Sequence, residues 1–237
     1  MRFPVSGPGA LALVLRLALL VAPATAIAHD FWLERSGEGL VLRYGHRGGE
    51  LLAIDRAKVK AVRCLDEGAV RDLLGAATFA PKEVRVAGRC GAASAFLDGG
   101  YWSLTPDGEV NRPRNQVPEA VKAWASRQFA KWVDPASPSA AAVLGDELEL
   151  VPVSDLSRAR QGDKVTVRVL SLGQPVPNAV VAIDHKALGE TDGAGETRIR
   201  LRASSVETLS ATLRRKVATP EADAVVLEAS LSFEVAR

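Results

Sequence analysis

The chain contains three histidines, and each stands where an imidazole could serve as a metal ligand. His29 opens the run His29-Asp30-Phe31-Trp32-Leu33-Glu34. His46 lies in Gly45-His46-Arg47-Gly48-Gly49, a polar loop just after a strand. His185 follows the strand Val180–Asp184, in Asp184-His185-Lys186. Asp30 and Glu34 offer oxygen donors on the first strand. The competing reading is plain: His29 is the first residue of a strand, and His46 and His185 are solvated loop histidines.

What His29 can do depends on where the mature chain begins. Met1–Ala28 reads as a secretory signal peptide, with Arg2 at its start, the apolar stretch Ala10–Ala22, then Pro23 and small residues. Cleavage after Ala28 leaves His29 first. Its free amine and imidazole then supply two arms of a histidine brace, and His46 is the nearest candidate for the remaining histidine. Cleavage after Ala26 leaves Ile27 first. The amine, two amides and the His29 imidazole then offer four nitrogens in a plane, which suits Cu(II) or Ni(II). Neither arrangement exists while the leader is attached, because the amine is then a peptide nitrogen.

The same leader skews the charge. The formal net charge is +2, with 30 basic and 28 acidic residues. Removing Met1–Ala28 takes away Arg2 and Arg16 and no acid, so the remainder is balanced. A balanced surface gives no reason to expect nucleic acid. At 47% hydrophobic and 24% charged the chain is globular. The leader implies export to an oxidising compartment, where Cys64 and Cys90 are expected to pair as a disulfide. There is no G-x-S-x-G elbow, H-E-x-x-H or Walker loop. The expectation is therefore a binding protein and not an enzyme.

The elements that must position these residues read as mainly β. Asp163–Leu170, Glu196–Arg202 and Leu227–Val235 alternate apolar and polar side chains, the pattern of half-buried antiparallel strands with one wet face. Less regular strands are expected at His29–Glu34, Leu40–Tyr44, Ala57–Cys64, Glu83–Cys90 and Tyr101–Thr105. Pro118–Val133 breaks the pattern: Val121, Trp124, Ala125 and Trp132 recur at helical spacing, which predicts one helix between two halves. Gly173-Gln174-Pro175 and Thr191-Asp192-Gly193-Ala194-Gly195 punctuate the second half in the manner of an immunoglobulin-like or transthyretin-like module, with Asp192 read as a turn-former. The expected organisation is a signal peptide over 1–28, an N-terminal β domain over 29–115, helix and linker over 116–144, and an Ig-like β-sandwich over 145–237. The fold class is two β-sandwich-like halves with the helix between them.

These residues also carry a family resemblance. The leader followed by Ala28-His29-Asp30-Phe31-Trp32-Leu33-Glu34 resembles the start of a NikM-like periplasmic family related to bacterial cobalt/nickel uptake, a domain family of unknown function. Gly100-Tyr101-Trp102-Ser103-Leu104, Phe129-Ala130-Lys131, Leu144-Gly145-Asp146-Glu147-Leu148-Glu149-Leu150-Val151-Pro152, Gly162-Asp163, Gly173-Gln174-Pro175 and Ala229-Ser230-Leu231-Ser232-Phe233 are similar to further segments of it. The resemblance implies a periplasmic β-rich protein tied to transition-metal handling, and of the site residues it carries over only His29. Two functions follow. One is a periplasmic accessory holding nickel, cobalt or copper at the mature N-terminus, working with a membrane transporter or outer-membrane receptor. The other is a metal-free interaction module docking on such a partner.

Overall fold

The computed structural model describes residues 29–236. The signal-peptide reading of Met1–Ala28 lies outside the described residues. Within them the chain forms seventeen strands and three single-turn 3-10 helices. In the first half these strands are β1 Asp30–Ser36, β2 Gly39–Gly45, β3 Val59–Asp66, β4 Ala69–Asp72, β5 Thr78–Ala80, β6 Glu83–Val86, β7 Ala92–Thr105, β8 Gly108–Val110 and β9 Lys122–Val133. In the second half they are β10 Glu149–Pro152, β11 Lys164–Ser171, β12 Gln174–Pro175, β13 Val180–Ile183, β14 Lys186–Glu190, β15 Glu196–Arg200, β16 Val206–Lys216 and β17 Ala224–Glu234. The protein is mainly β, as its alternating sequence requires.

Three sheets organise these strands. A nine-stranded sheet runs β14-β13-β16-β17-β9-β7-β3-β4, with β8 also on β7. A four-stranded sheet, β1-β2-β6-β5, packs on one face of it. A second, built from β10, β11, β12 and β15, packs on the other. The first core joins Phe31, Leu33, Leu42 and Val84 to Val62 and Trp132. The second joins Leu150, Val167 and Ile199 to Leu209, Leu231 and Phe233. Each such side chain contributes roughly 1.5–3 kcal/mol when fully buried. The expected disulfide is present: Cys64 on β3 is bonded to Cys90, just before β7.

The segment predicted to be helical is instead strand β9. It pairs antiparallel with β7 from Ala92↔Val133 to Leu104↔Lys122, and parallel with β17 from Ala224↔Trp124 to Ser232↔Trp132. The helical spacing was misleading because both faces of this strand are covered. Ala130 and Trp132 enter the first core, while Phe129 and Val133 enter the second. A strand buried on both faces loses its two-residue alternation. Val121, the first residue of that helical spacing, lies outside the strand and is exposed. β9 is the strand that joins β7 of the first half to β17 of the second.

A second expectation also fails. The middle of the polar side of Leu227–Val235 is not wet: Ser230 and Ser232 are buried, and only its end at Glu234 is exposed. Ser230 Oγ donates to the Phe31 carbonyl oxygen at 2.6 Å, and Ser232 Oγ lies 2.9 Å from Thr208 Oγ1. This strand is antiparallel to β16 but parallel to β9. Asp192 does form a turn, accepting from the Ala194 and Glu196 amides at 2.9 and 3.0 Å.

Candidate metal and small-molecule site at the start of the first strand

His29 stands just before β1, where that strand crosses the face of the central sheet. Its position is fixed from below by Gln128 of β9, whose Nε2 donates to the His29 carbonyl oxygen at 2.9 Å. His46 comes from the other end of the β1–β2 hairpin, since Asp30 pairs with Gly45. The loop turns tightly: the His46 amide donates to Glu50 O at 2.9 Å and the Gly49 amide to His46 O at 3.0 Å. Gly45 has φ +133°, and a Cβ there would meet Glu50 O at 2.4 Å, so only glycine allows this turn. The outcome is that the His29 and His46 rings lie 4.9 Å apart between centroids, tilted by 52°. Tyr44 closes the group with its ring edge-on to His29 at 5.5 Å.

His185 arrives from the far half of the chain. Asp184 and His185 form the two-residue turn between β13 and β14, with Ile183 paired to Lys186. Both have positive φ, 46° and 60°, as in the turns that suit a tight hairpin. His185 Nε2 lies 3.5 Å from Asp30 Oδ1. Arg47 links the two loops, donating to the Thr208 carbonyl at 3.2 Å and approaching Asp184 at 4.0 Å. His29, His185 and Asp30 line one small hollow of about 60 Å³, together with Glu228 and Gln128. Glu34 does not join them. It is held by Arg43 and by Trp32 Nε1, the latter at 3.1 Å.

The electrostatics favour a neutral His29. Burial lowers its pKa first and the neighbouring His46 lowers it further, while Asp30 and Glu50 oppose them. Burial raises the pKa of Glu228, with Asp30 adding to the shift and Gln128 and His185 opposing it. Burial, then Glu228, raises that of Tyr44. A neutral imidazole is the form that binds metal.

Among the described residues, no group of three or more His, Cys, Asp or Glu side chains is gathered closely enough to hold an ion. The donors that fit best are the two imidazoles. Their ring centroids lie 4.9 Å apart, near enough for one ion to reach both rings at ordinary metal–nitrogen distances of about 2 Å. The further donor in the brace reading is the His29 α-amine, which removal of residues 1–28 would free.

Beside this group opens a larger cleft of about 520 Å³, which sequence reasoning missed. Its floor is the face of the central sheet beyond the reach of β1. Trp102 and Trp124 stand directly opposite each other in the β7–β9 register, and Gln128 and Glu228 are neighbours in the β9–β17 register. Tyr44, Lys58 and Arg214 complete its sides, and His29 lines its inner end. Gln128 is only 5% exposed. Its Nε2 also donates to Glu228 at 2.8 Å, yet its Oε1 has no partner among the described residues. Leaving such an acceptor unsatisfied costs about 1–3 kcal/mol. The available signal was a polar residue at a position where β9 is otherwise buried.

No curated protein matches the chain. Three solved structures share weak likenesses. The four N-terminal Ig domains of Dscam1 are 10% identical with a TM-score of 0.25, and the match covers 74% of this chain and 37% of that one. The Clostridium thermocellum CbhA fibronectin(III)-like modules are 12% identical with a TM-score of 0.25, covering 90% and 92%. The D0-D1 domain of intimin is 12% identical with a TM-score of 0.21, covering 86% and 97%. Likenesses at these scores carry no argument about fold or function. Residues 26–205 match the model of a domain of unknown function (DUF4198), and the chain belongs to that family.

Proposed function

We propose that the protein is a periplasmic accessory in transition-metal handling, holding one Ni(II), Co(II) or Cu(II) ion at its mature N-terminus. The observation that carries this reading is the meeting of all three histidines, distant in sequence, around the start of β1. His29 and His46 are the primary ligands, and Asp30 and His185 stand beside them. The resemblance to a NikM-like family related to cobalt/nickel uptake supports the same reading, with a membrane transporter or outer-membrane receptor as the partner that receives the ion. The metal is cargo, and no chemical transformation is assigned.

Calorimetry on exported, processed protein tests the reading, with the N-terminal residue first identified by mass. Ni(II), Co(II) and Cu(II) are titrated separately. The expected result is a 1:1 complex with at least one of them. His29→Ala weakens it by tenfold or more, and so does acetylation of the amine. Absence of binding to all three ions overturns the proposal and returns the chain to the metal-free interaction module.

A further inference from the structure

The large cleft of about 520 Å³ falls in the range of small-molecule sites, about 300–1,000 Å³. Strand register sets its floor, because side chains on one face of a sheet recur at every second residue. The row nearest His29 holds Leu97, Gln128 and Glu228. The next row outward holds Ser126, Val226 and Arg214, with Gly99 of the β7 bulge at its other end. The row beyond that holds Trp102, Trp124 and Ala224. The middle row is the low one. A Cβ on Gly99 would meet Ser126 Oγ at 2.9 Å, so β7 and β9 admit only the smallest side chains here. The result is a trough between the polar row and the tryptophans. The Trp102 indole leans back toward it, its Nε1 donating to the Gly99 carbonyl at 3.2 Å.

A cation stands at each end of the trough. Arg214 on β16 is exposed and lines the cleft with no ion pair among the described residues. Lys58, which closes the 3-10 turn before β3, donates to Asn111 Oδ1 at 3.2 Å. Asn111 Nδ2 donates in turn to the Gly99 carbonyl at 3.3 Å, which holds the ammonium near the β7 end. The lining carboxylates are engaged or distant. Glu228 accepts from Gln128 at 2.8 Å and Asp55 from the Ala57 amide at 2.9 Å. Glu109 pairs with Leu104, one row beyond the tryptophans. Gly99, Ala224 and Val226 have no side-chain donor or acceptor, so a polyhydroxylated ligand would find little to pair with between the ends.

We propose that this trough binds an aromatic carboxylate carrying an oxygen substituent on the far side of its ring. The carboxylate meets the Arg214 guanidinium in a charge-assisted fork. The ring lies over Val226 and Ser126 and against Trp124, and Lys58 donates to the substituent. From β16 to β7 is three strand spacings, about 14 Å. An arginine stem and one six-membered ring together span that length. The inference goes beyond the metal reading and does not rest on it, since the ligand makes no bond to an ion and His29 only closes the inner end.

Calorimetry on exported, processed protein without added metal tests it, with 4-hydroxybenzoate as the probe. The expected result is a 1:1 complex that Arg214→Ala weakens by tenfold or more. Ser126→Leu, which fills the floor and leaves both cations in place, should weaken it as much. Benzoate should bind severalfold more weakly than 4-hydroxybenzoate, and cyclohexanecarboxylate, which lacks the flat ring, more weakly again. No binding of 4-hydroxybenzoate at millimolar concentration overturns the proposal. So does binding that Arg214→Ala leaves unchanged, or a cyclohexanecarboxylate affinity equal to that of benzoate. Weakening in Arg214→Ala with full binding in Ser126→Leu would put the anion outside the trough and overturn it as well. Benzoate binding as tightly as 4-hydroxybenzoate would overturn the role given to Lys58.

Discussion

Gln128 and Lys131 lie three residues apart on β9, are both buried, and face opposite sides of the central sheet. Their surroundings differ completely. Lys131 is closed in: its ammonium donates to Glu149 at 2.6 Å and to the Ala142 carbonyl at 2.5 Å. Glu149 in turn accepts the Leu144 and Gly145 amides at 2.8 and 3.0 Å. Asp146 beside them is paired with Arg63. Gln128 has one atom bound twice and the other buried without a partner among the described residues. A buried charge must be paired and hydrogen-bonded to be tolerated at all. The Lys131–Glu149 pair therefore reads as architecture, pinning the 134–148 connection to the sheet, whereas the Gln128 amide ties His29 and Glu228 to β9.

Breaking the closed cluster should have the largest effect. Lys131→Ala strands the Glu149 carboxylate in the second core, and truncating one partner of a buried pair costs about 3–5 kcal/mol. Urea unfolding should show that loss. His46→Ala, at the open site, should change stability by less than about 0.5 kcal/mol, as is usual away from packed features. Equal losses in the two variants would erase the distinction between the clusters.

Acid titration sharpens it further. Burial raises the Asp146 pKa to about 6, Arg63 opposing and Glu149 adding to the shift. The folded state then takes up a proton that the unfolded carboxyl, at about 3.9, does not. Between the two values the native state binds more protons, so this group's contribution to stability falls as pH rises from about 4 to about 6. Roughly two units correspond to about 3 kcal/mol. Asp146→Asn should remove that downward slope from the pH dependence of the unfolding free energy. An unchanged slope would show that Arg63 keeps the carboxylate charged throughout.

How far all this was readable differs by cluster. Strands such as Lys164–Ser171 announce themselves by alternation, and the Cys64–Cys90 pair follows from there being just two cysteines. The three histidines were legible as candidates because their chemistry is local to each residue. Their meeting was not, because it depends on the β1–β2 register and on a turn nearly 140 residues later. The motif residues Lys131, Asp146 and Glu149 were visible only as part of a resemblance, and the structure gives them a packing role. Gln128 was marked only by its polarity in an apolar stretch, and its meeting with Glu228 was not legible, since β9 and β17 are about a hundred residues apart and pair in parallel. The double burial that hides Gln128 in the strand is also what made β9 resemble a helix.

A small effect of opposite sign should come from His185. This residue holds φ +60° in a two-residue hairpin turn, a conformation that glycine adopts without strain. A left-handed backbone costs a non-glycine residue about 1–2 kcal/mol, and glycine gives back part of that through the greater freedom of its unfolded chain. His185→Gly should therefore stabilise the protein by up to about 1 kcal/mol, measured as a small rise in the urea midpoint. In the same variant the loss of the imidazole facing Asp30 should weaken Ni(II) or Cu(II) binding. A gain in stability together with a loss in affinity would mark His185 as a residue kept at a structural cost for the open site. A gain in stability with affinity untouched would place it outside the ligand set and leave His29 and His46 as the only side-chain nitrogens there.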